Sequence, residues 1–267
     1  MTDDDKSTEI RFDDGAGYEE MMGRWSALVG ERFLDWIGVP DGSRWLDVGC
    51  GNGAFTQLVV ERCHPLRVQA FDPAPAQIAY ARTRLPAASA GLVDWAEGDA
   101  MQLPVADGAA DAAVMALVLF FVPQPARGVV EMVRALRPGG IAAAYHWDVL
   151  NGGFPFAPIG AEALKMGVPR RLPPSVEAST IEASTRLWTE AGLRDVRTTQ
   201  FTVERTFSSF DAYWESTAQS NTTRPMYETL TAEQLAQLKI NVRRRVGAAD
   251  GPVTLSARAN AICGVRP

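Results

Sequence analysis

The chain has 267 residues, 46% of them hydrophobic and 22% charged, with a formal net charge of -6. That composition suits one large α/β domain, or a domain carrying a substantial insertion. The acidic balance argues against nucleic acid, whose phosphates call for a basic surface, and favours a small-molecule ligand. No apolar run approaches the roughly 20 residues that span a bilayer. Met1 to Glu9 is acidic rather than a basic-apolar leader, so a cytoplasmic protein without membrane contact is expected. Cys50, Cys63 and Cys263 stand alone, without a C-x-x-C pair, so neither a disulfide framework nor a metal site is expected.

Residues 1–17 read as a loose polar lead-in. From Tyr18 the pattern turns helical: Trp25, Leu28, Val29, Phe33, Leu34 and Ile37 recur at steps of three and four, and Gly38-Val39-Pro40 closes the run. Trp45, Leu46 and Val48 then read as the end of a buried strand, and Ala54, Phe55, Leu58, Val59 and Val60 as the start of a helix packed back on it. Gly49, Gly51 and Gly53 are the bend between them, where a missing Cβ permits positive φ and close approach of a ligand. Such a strand-turn-helix holds a nucleoside cofactor. Gly49, Gly51 and Ala54 can be read as a dinucleotide fingerprint, but Asp47 points an anion into the site, which suits a cation better than a pyrophosphate.

Asp47-x-Gly49-x-Gly51-x-Gly53 resembles motif I of the class I S-adenosylmethionine (SAM) dependent methyltransferases. The resemblance implies that this loop, Cys50 included, wraps the methionine part of SAM, whose ammonium and sulfonium are both positive. The segment YEEMMGRWS resembles the element before motif I in small-molecule members of that family. There an aromatic and an arginine close over SAM, which gives those roles to Tyr18 and Arg24, with Arg24 pairing to the methionine carboxylate.

Further along, Val68, Ala70 and Phe71 form a strand with Asp72 at its end, placed to accept from both ribose hydroxyls, and Pro73 to Pro75 opens a helix. Leu92 to Ala96 is a third strand. The following Gly98-Asp99-Ala100-Met101-Gln102-Leu103-Pro104 is similar to the family's adenine segment. By that resemblance Asp99 accepts from the adenine amino group, the Ala100 amide donates to a ring nitrogen and Met101 flanks the base; Pro73 and Leu117 complete the implied cofactor contacts. Asp111 to Val118 is an apolar run expected as a central parallel strand. A helix follows from Pro123 to Pro125, is stopped by Arg137-Pro138-Gly139-Gly140, and leads into a strand over Ile141 to Tyr145. Ligands of doubly wound sheets bind beyond the carboxyl ends of the strands, so Phe120, Phe121, His146, Trp147 and Asp148 are expected to face the substrate. Phe120 departs from relatives that carry a polar residue there. His146, with an unperturbed pKa near 6.5, is the candidate general base; His64 is a loop residue.

Residues 151–179 lack a clean period and read as a covering insertion, and residues 208–250 as a second one, with Arg243 to Arg245 a solvated helix end. Val253, Leu255, Ala257, Ala259, Ala261, Cys263 and Val265 alternate with polar neighbours as a half-buried strand. The resemblance implies an α/β fold: a doubly wound, seven-stranded, mostly parallel sheet with an antiparallel last strand, an extra N-terminal helix and lid insertions, one methyltransferase domain over residues 18–267. The resemblance implies methyl transfer from SAM, with S-adenosylhomocysteine as product. Phe154, Phe156, Trp188 and Trp214, read as lid aromatics, favour a small hydrophobic acceptor. Two other readings stand beside it, a NAD(P)-dependent Rossmann-type oxidoreductase and a SAM-binding protein that never turns over. Monomer and homodimer both remain open.

Overall fold

The structure is a computed structural model that describes residues 22–170, 172–218 and 223–267; Tyr18 lies outside the described residues. Helix α1 (Arg24–Ile37) buries the stripe Trp25, Val29, Phe33, Leu34 and Ile37 and ends where Gly38, at φ 63°, donates its N–H to the Leu34 carbonyl. It feeds β1 (Arg44–Val48), and the glycine turn leads on to α2 (Ala54–Cys63). The chain continues through β2 (Arg67–Asp72), α3 (Pro75–Ala81), β3 (Val93–Glu97), β4 (Ala110–Ala116), α4 (Pro125–Ala135) and β5 (Leu136–Trp147). Then come α5 (Ala157–Lys165), α6 (Ile181–Glu190), β6 (Arg194–Phe207), α7 (Phe210–Ala218), α8 (Ala232–Arg245) and β7 (Val253–Val265). No helix among the described residues is long and apolar enough to cross a membrane.

The sheet order is β3-β2-β1-β4-β5-β7-β6. Strands β1 to β5 pair in parallel, and β7 is antiparallel to both β5 and β6. The strand order reverses between β1 and β4, and the crevice above such a reversal is where doubly wound sheets bind ligands. The expected helix stop at Arg137 to Gly140 is instead the opening of β5, which follows α4 without a loop. Gly139 at φ 79° and Gly140, whose Cβ would lie 2.9 Å from the Arg137 carbonyl oxygen, let the backbone turn there without a break.

Alternation along the strands divides the core. One face gathers Trp45, Val114, Tyr145 and Trp147 under α1 and α2; the other gathers Leu46, Val48, Met115 and Ile262. Trp188 belongs to this second face, fully buried, with its indole N–H donated to the Ala142 carbonyl at 3.0 Å. It is a core residue and not part of a lid, because its helix packs under the sheet. Phe154, Phe156 and Trp214 do lie in the insertions, within an aromatic cluster: Phe156 is 6.4 Å from Tyr213, and Trp214 stacks on Tyr227 at 5.1 Å. The two insertions are tied together where Glu162 of α5 accepts from Arg245 of α8 at 3.0 Å. Arg243 pairs with Asp250 at the surface at 2.9 Å, so two of the three arginines of the run are engaged.

Asp148 does not face a substrate. Its side chain is buried and takes the Arg258 guanidinium through Nη2 at 2.7 Å and Nε at 2.9 Å, with Asn151 Nδ2 at 2.9 Å on the other oxygen. This fork fastens the start of the first insertion to β7. Arg258→Ala leaves the buried Asp148 carboxylate short of its half-exposed partner, so it should lower the unfolding free energy by about 1 to 3 kcal/mol in urea melts. Asp148→Asn added to it should recover part of that loss.

Candidate cofactor site

A cavity of about 640 Å³ opens above the carboxyl ends of β1, β2 and β4, walled by α1 and α2. Its size falls in the range of small-molecule sites, roughly 300 to 1,000 Å³. The glycine turn forms its floor, with Gly49, Gly51 and Gly53 all at positive φ. A Cβ on Gly49 would lie 2.6 Å from the Val118 methyls, and one on Gly53 2.8 Å from the Trp95 ring, whereas nothing lies within 4 Å of the Gly51 position. The outer two glycines therefore permit packing of protein on protein, and Gly51 opens to the ligand space.

Asp47 is buried and lines the cavity. Thr56 Oγ1 donates to its Oδ2 at 2.5 Å, while Oδ1 has no partner. Burial pushes this carboxyl up to about 7, against the Thr56 bond and with help from the nearby Asp72 charge. A cation placed at Oδ1 would satisfy the orphaned oxygen and return the group to its charged form. The donor set thus fits the ammonium of an amino-acid cofactor. Asp72, at the end of β2, accepts from the Gly51 N–H and the Ala74 N–H, both at 2.9 Å. Burial raises its pKa and these two bonds lower it. Each of its oxygens keeps a second lone pair for a ligand hydroxyl. Pro73 and Cys50 also line the cavity; the Cys50 thiol is pushed up by burial and by Asp47 and Asp72, and so stays protonated as filler.

Leu117 lines the cavity from the end of β4 with φ 63°, a strained setting for a branched residue, and donates its N–H to the Tyr145 carbonyl at 2.8 Å. The bend it makes lays Val118 on Gly49 and brings Phe121 into the wall. Phe120 turns the other way, 4.5 Å from the Phe121 ring and edge-on to His146 at 6.4 Å. Asp99, Ala100 and Met101 are not among the cavity-lining residues. They sit just past Asp72, whose carbonyl takes the Gly98 N–H at 3.2 Å, and Asp99 caps its own turn by accepting from the Met101 N–H at 2.8 Å.

Three expected residues are placed elsewhere. His146 is fully buried on the sheet face opposite Tyr145, its two ring nitrogens have no partner, and burial, only partly offset by Asp148, lowers it to about 4. It does not line the cavity, so it supplies no base there. Trp147 is buried on the α1 side without reaching the cavity wall. Arg24 is exposed and not in the lining. It lies close enough to Arg205 of β6 to add to the burial that lowers that group. Ser26, Ala27 and Glu31 of α1, Gln57 and Leu58 of α2, and Tyr145 line the cavity instead. The helical period places Ser26 and Ala27 on the stripe flanking the core residues, but only the angle of α1 against α2 shows that this stripe meets a ligand space.

Asp47 and His146 bend the stability curve in opposite senses. Between about 4 and 7 the folded Asp47 holds a proton that the unfolded chain has lost, so its contribution grows on acidification. Between 6.5 and about 4 the unfolded His146 gains a proton that the folded one refuses, so its contribution shrinks over much the same window. Each is worth at most about 1.4 kcal/mol per pH unit. Urea melts at pH 5 and pH 7.5 should therefore change little in the native chain. Asp47→Asn should leave a chain that weakens in acid, and His146→Leu one that strengthens.

Comparison with known proteins agrees with this geometry. Residues 46–144 match the family described as a methyltransferase domain. An uncharacterized methyltransferase of Mycobacterium tuberculosis is 38% identical over 107 residues, 40% of this chain and 41% of that protein. The malonyl-(acyl-carrier protein) O-methyltransferase of Serratia marcescens is 34% identical over 130 residues, 49% of this chain and 48% of that one. The chain thus spans less than half the length of these relatives. A Haemonchus contortus phosphoethanolamine N-methyltransferase 2, solved with S-adenosylhomocysteine, shares the fold at TM-score 0.61 and 17% identity, over 94% of this chain and 57% of that one. The cyclase SpnF shares it at TM-score 0.51 and 21% identity, over 95% and 85%. The sheet order and the glycine turn agree with the methyltransferase domain matched over residues 46–144, and the fold is the Rossmann-like one shared with solved methyltransferases.

Proposed function

We propose that this protein transfers a methyl group from SAM to a small apolar molecule. The observation that carries the reading is Asp47 Oδ1, a buried, unpartnered carboxylate oxygen in the cavity wall. It suits an ammonium and opposes the pyrophosphate of a dinucleotide. Bound SAM supplies a methyl group made electrophilic by its sulfonium. The chain's part is to hold the cofactor at Asp47, Gly51 and Asp72, and to keep water from the transfer path with Leu117, Val118, Phe121 and Tyr145. Alignment alone can contribute much of the rate. A base is needed only when the acceptor must lose a proton, and no histidine lines the cavity among the described residues. The apolar wall at the end of β4 supports an apolar acceptor. So do relatives named as a ubiquinone/menaquinone C-methyltransferase of Roseobacter denitrificans and a demethylmenaquinone methyltransferase of Renibacterium salmoninarum. A second reading, SAM binding without methyl transfer, is favoured by the likeness to a cyclase; release of S-adenosylhomocysteine with any member of an acceptor panel rules it out.

Thermal melts with SAM and with S-adenosylhomocysteine at about 100 times their dissociation constants should show roughly 2.7 kcal/mol of stabilisation. A shift with NAD and none with either SAM compound would overturn the assignment. Asp72→Ala should cost about 1.5 to 3 kcal/mol of SAM affinity by calorimetry, as the loss of hydrogen bonds to a charged acceptor, and should also lower the melting temperature of the unliganded chain, because the Gly51 and Ala74 amides lose their acceptor.

A further inference from the structure

Ser175 ties the return of the first insertion to the wall of the cavity. Just before it stand Pro173 and Pro174, whose rings fix φ and narrow the ways in which the chain can approach. The Ser175 N–H donates to the Phe120 carbonyl at 3.0 Å and its Oγ to the Val122 carbonyl at 2.8 Å. Both acceptors belong to the segment that leaves β4, a single turn of 3-10 helix over Leu119–Phe121 and the residue after it. That turn bonds the Phe121 N–H to the Val118 carbonyl at 2.7 Å and the Val122 N–H to the Leu119 carbonyl at 3.2 Å. Its own bonds leave the carbonyls at its exit to outside donors, as at any helical end, and one serine supplies two.

The turn held in this way carries the wall. Val118 packs on the bare Gly49 position at its start, and Phe121 lines the cavity together with Leu117 and Val118. Phe120 packs on Phe121 at 4.5 Å and meets the buried His146 ring edge-on at 6.4 Å. The insertion has two further attachments already described, the Asp148–Arg258 fork at its start and the Glu162–Arg245 bond in α5. Both join residues outside the cavity lining. Of the three, it is the Ser175 attachment that grips an element facing the cofactor space.

We propose that Ser175 is a positioning residue for methyl transfer: it holds the β4 exit in the shape that puts Phe121 in the wall, so that the insertion seats and the wall forms together. The inference rests on the SAM reading above. Ser175 is not in the cavity lining and acts through Phe121. A ligand packed against Leu117, Val118 and Phe121 favours the formed wall, and through the two bonds of Ser175 it favours the seated insertion. With the hydroxyl gone, binding itself must order the wall, and the insertion no longer follows.

The test joins calorimetry to amide hydrogen exchange on the full chain, with S-adenosylhomocysteine as the probe. In the native chain the compound should slow exchange in residues 49–58, 117–123 and 172–180, the last of which contains the Ser175 N–H itself. Ser175→Ala should weaken binding by about fivefold, the size of one hydrogen bond. It should also abolish the slowing at 172–180 while that at 49–58 remains. Ser175→Thr, which keeps the hydroxyl, should restore both the affinity and the slowing. Glu162→Gln, which loosens the insertion at its α5 attachment, should lower the melting temperature of the unliganded chain yet bind the compound as the native chain does. Unchanged affinity in Ser175→Ala, no recovery in Ser175→Thr, equal weakening in Glu162→Gln, or native exchange at 172–180 that ignores the compound would each overturn the proposal. A native chain that does not bind S-adenosylhomocysteine would instead overturn the cofactor reading on which it rests.

Discussion

The approach of Val118 to Gly49 is the contact on which the site depends. A side chain at Gly49 would collide with both Val118 methyls, so the turn after β1 and the exit of β4 can close on each other only because that position is bare. The sheet reverses order between these two strands, and the reversal leaves a crevice whose width this contact sets. Leu117, held in the left-handed region and bonded to the Tyr145 carbonyl, aims the β4 exit at the turn. Strained backbone of this kind persists where its surroundings over-determine it, and here the Leu117 N–H donated to the neighbouring strand and the packing of Val118 on Gly49 do so.

Two carboxylates in one crevice would ordinarily repel and hydrate. The protein separates their tasks by their partners. Asp72 is committed on both oxygens to backbone amides and still offers lone pairs; Asp47 is committed on one oxygen and bare on the other. Burial raises Asp47 towards neutrality, which lowers the cost of its bare oxygen, and a cation at that oxygen favours the charged form. Ligand occupancy and protonation are thereby linked at one side chain.

Much of this was legible in the sequence because short-range rules govern it. The glycine spacing, Asp47 and Asp72 stand at turn and strand ends, and the alternation of β7 fixes which of its residues face inward, so the site's position follows from local pattern; the seven-strand count and the antiparallel last strand come from the family resemblance, since periodicity does not fix a strand's direction. Misreadings arose where the answer depends on which side of the sheet a residue takes, or on a partner far along the chain. His146 and Tyr145 are neighbours that alternation sends to opposite faces. Asp148 looked free because Arg258 is 110 residues away, and Trp188 looked like a lid because nothing nearby shows that α6 lies under the sheet. Ser26 carries no signal of its own until α1 is set against α2.

The position of β7 has a consequence for the order of assembly. It lies between β5 and β6, yet it follows every other strand in the chain. Until it arrives, β5 presents a bare edge, and the β6 segment has no strand to pair with. Unpaired edges of this kind are templates for association with other chains, and contacts between distant segments form slowly. Arg258 comes with the same strand, so the Asp148 carboxylate waits without its countercharge for as long as the edge is open. Shielding of nascent chains at this stage, by a chaperone or by rapid insertion of the last hairpin, falls on the β6-β7 pair rather than on the cofactor-binding half, whose strands β1 to β4 pair among themselves.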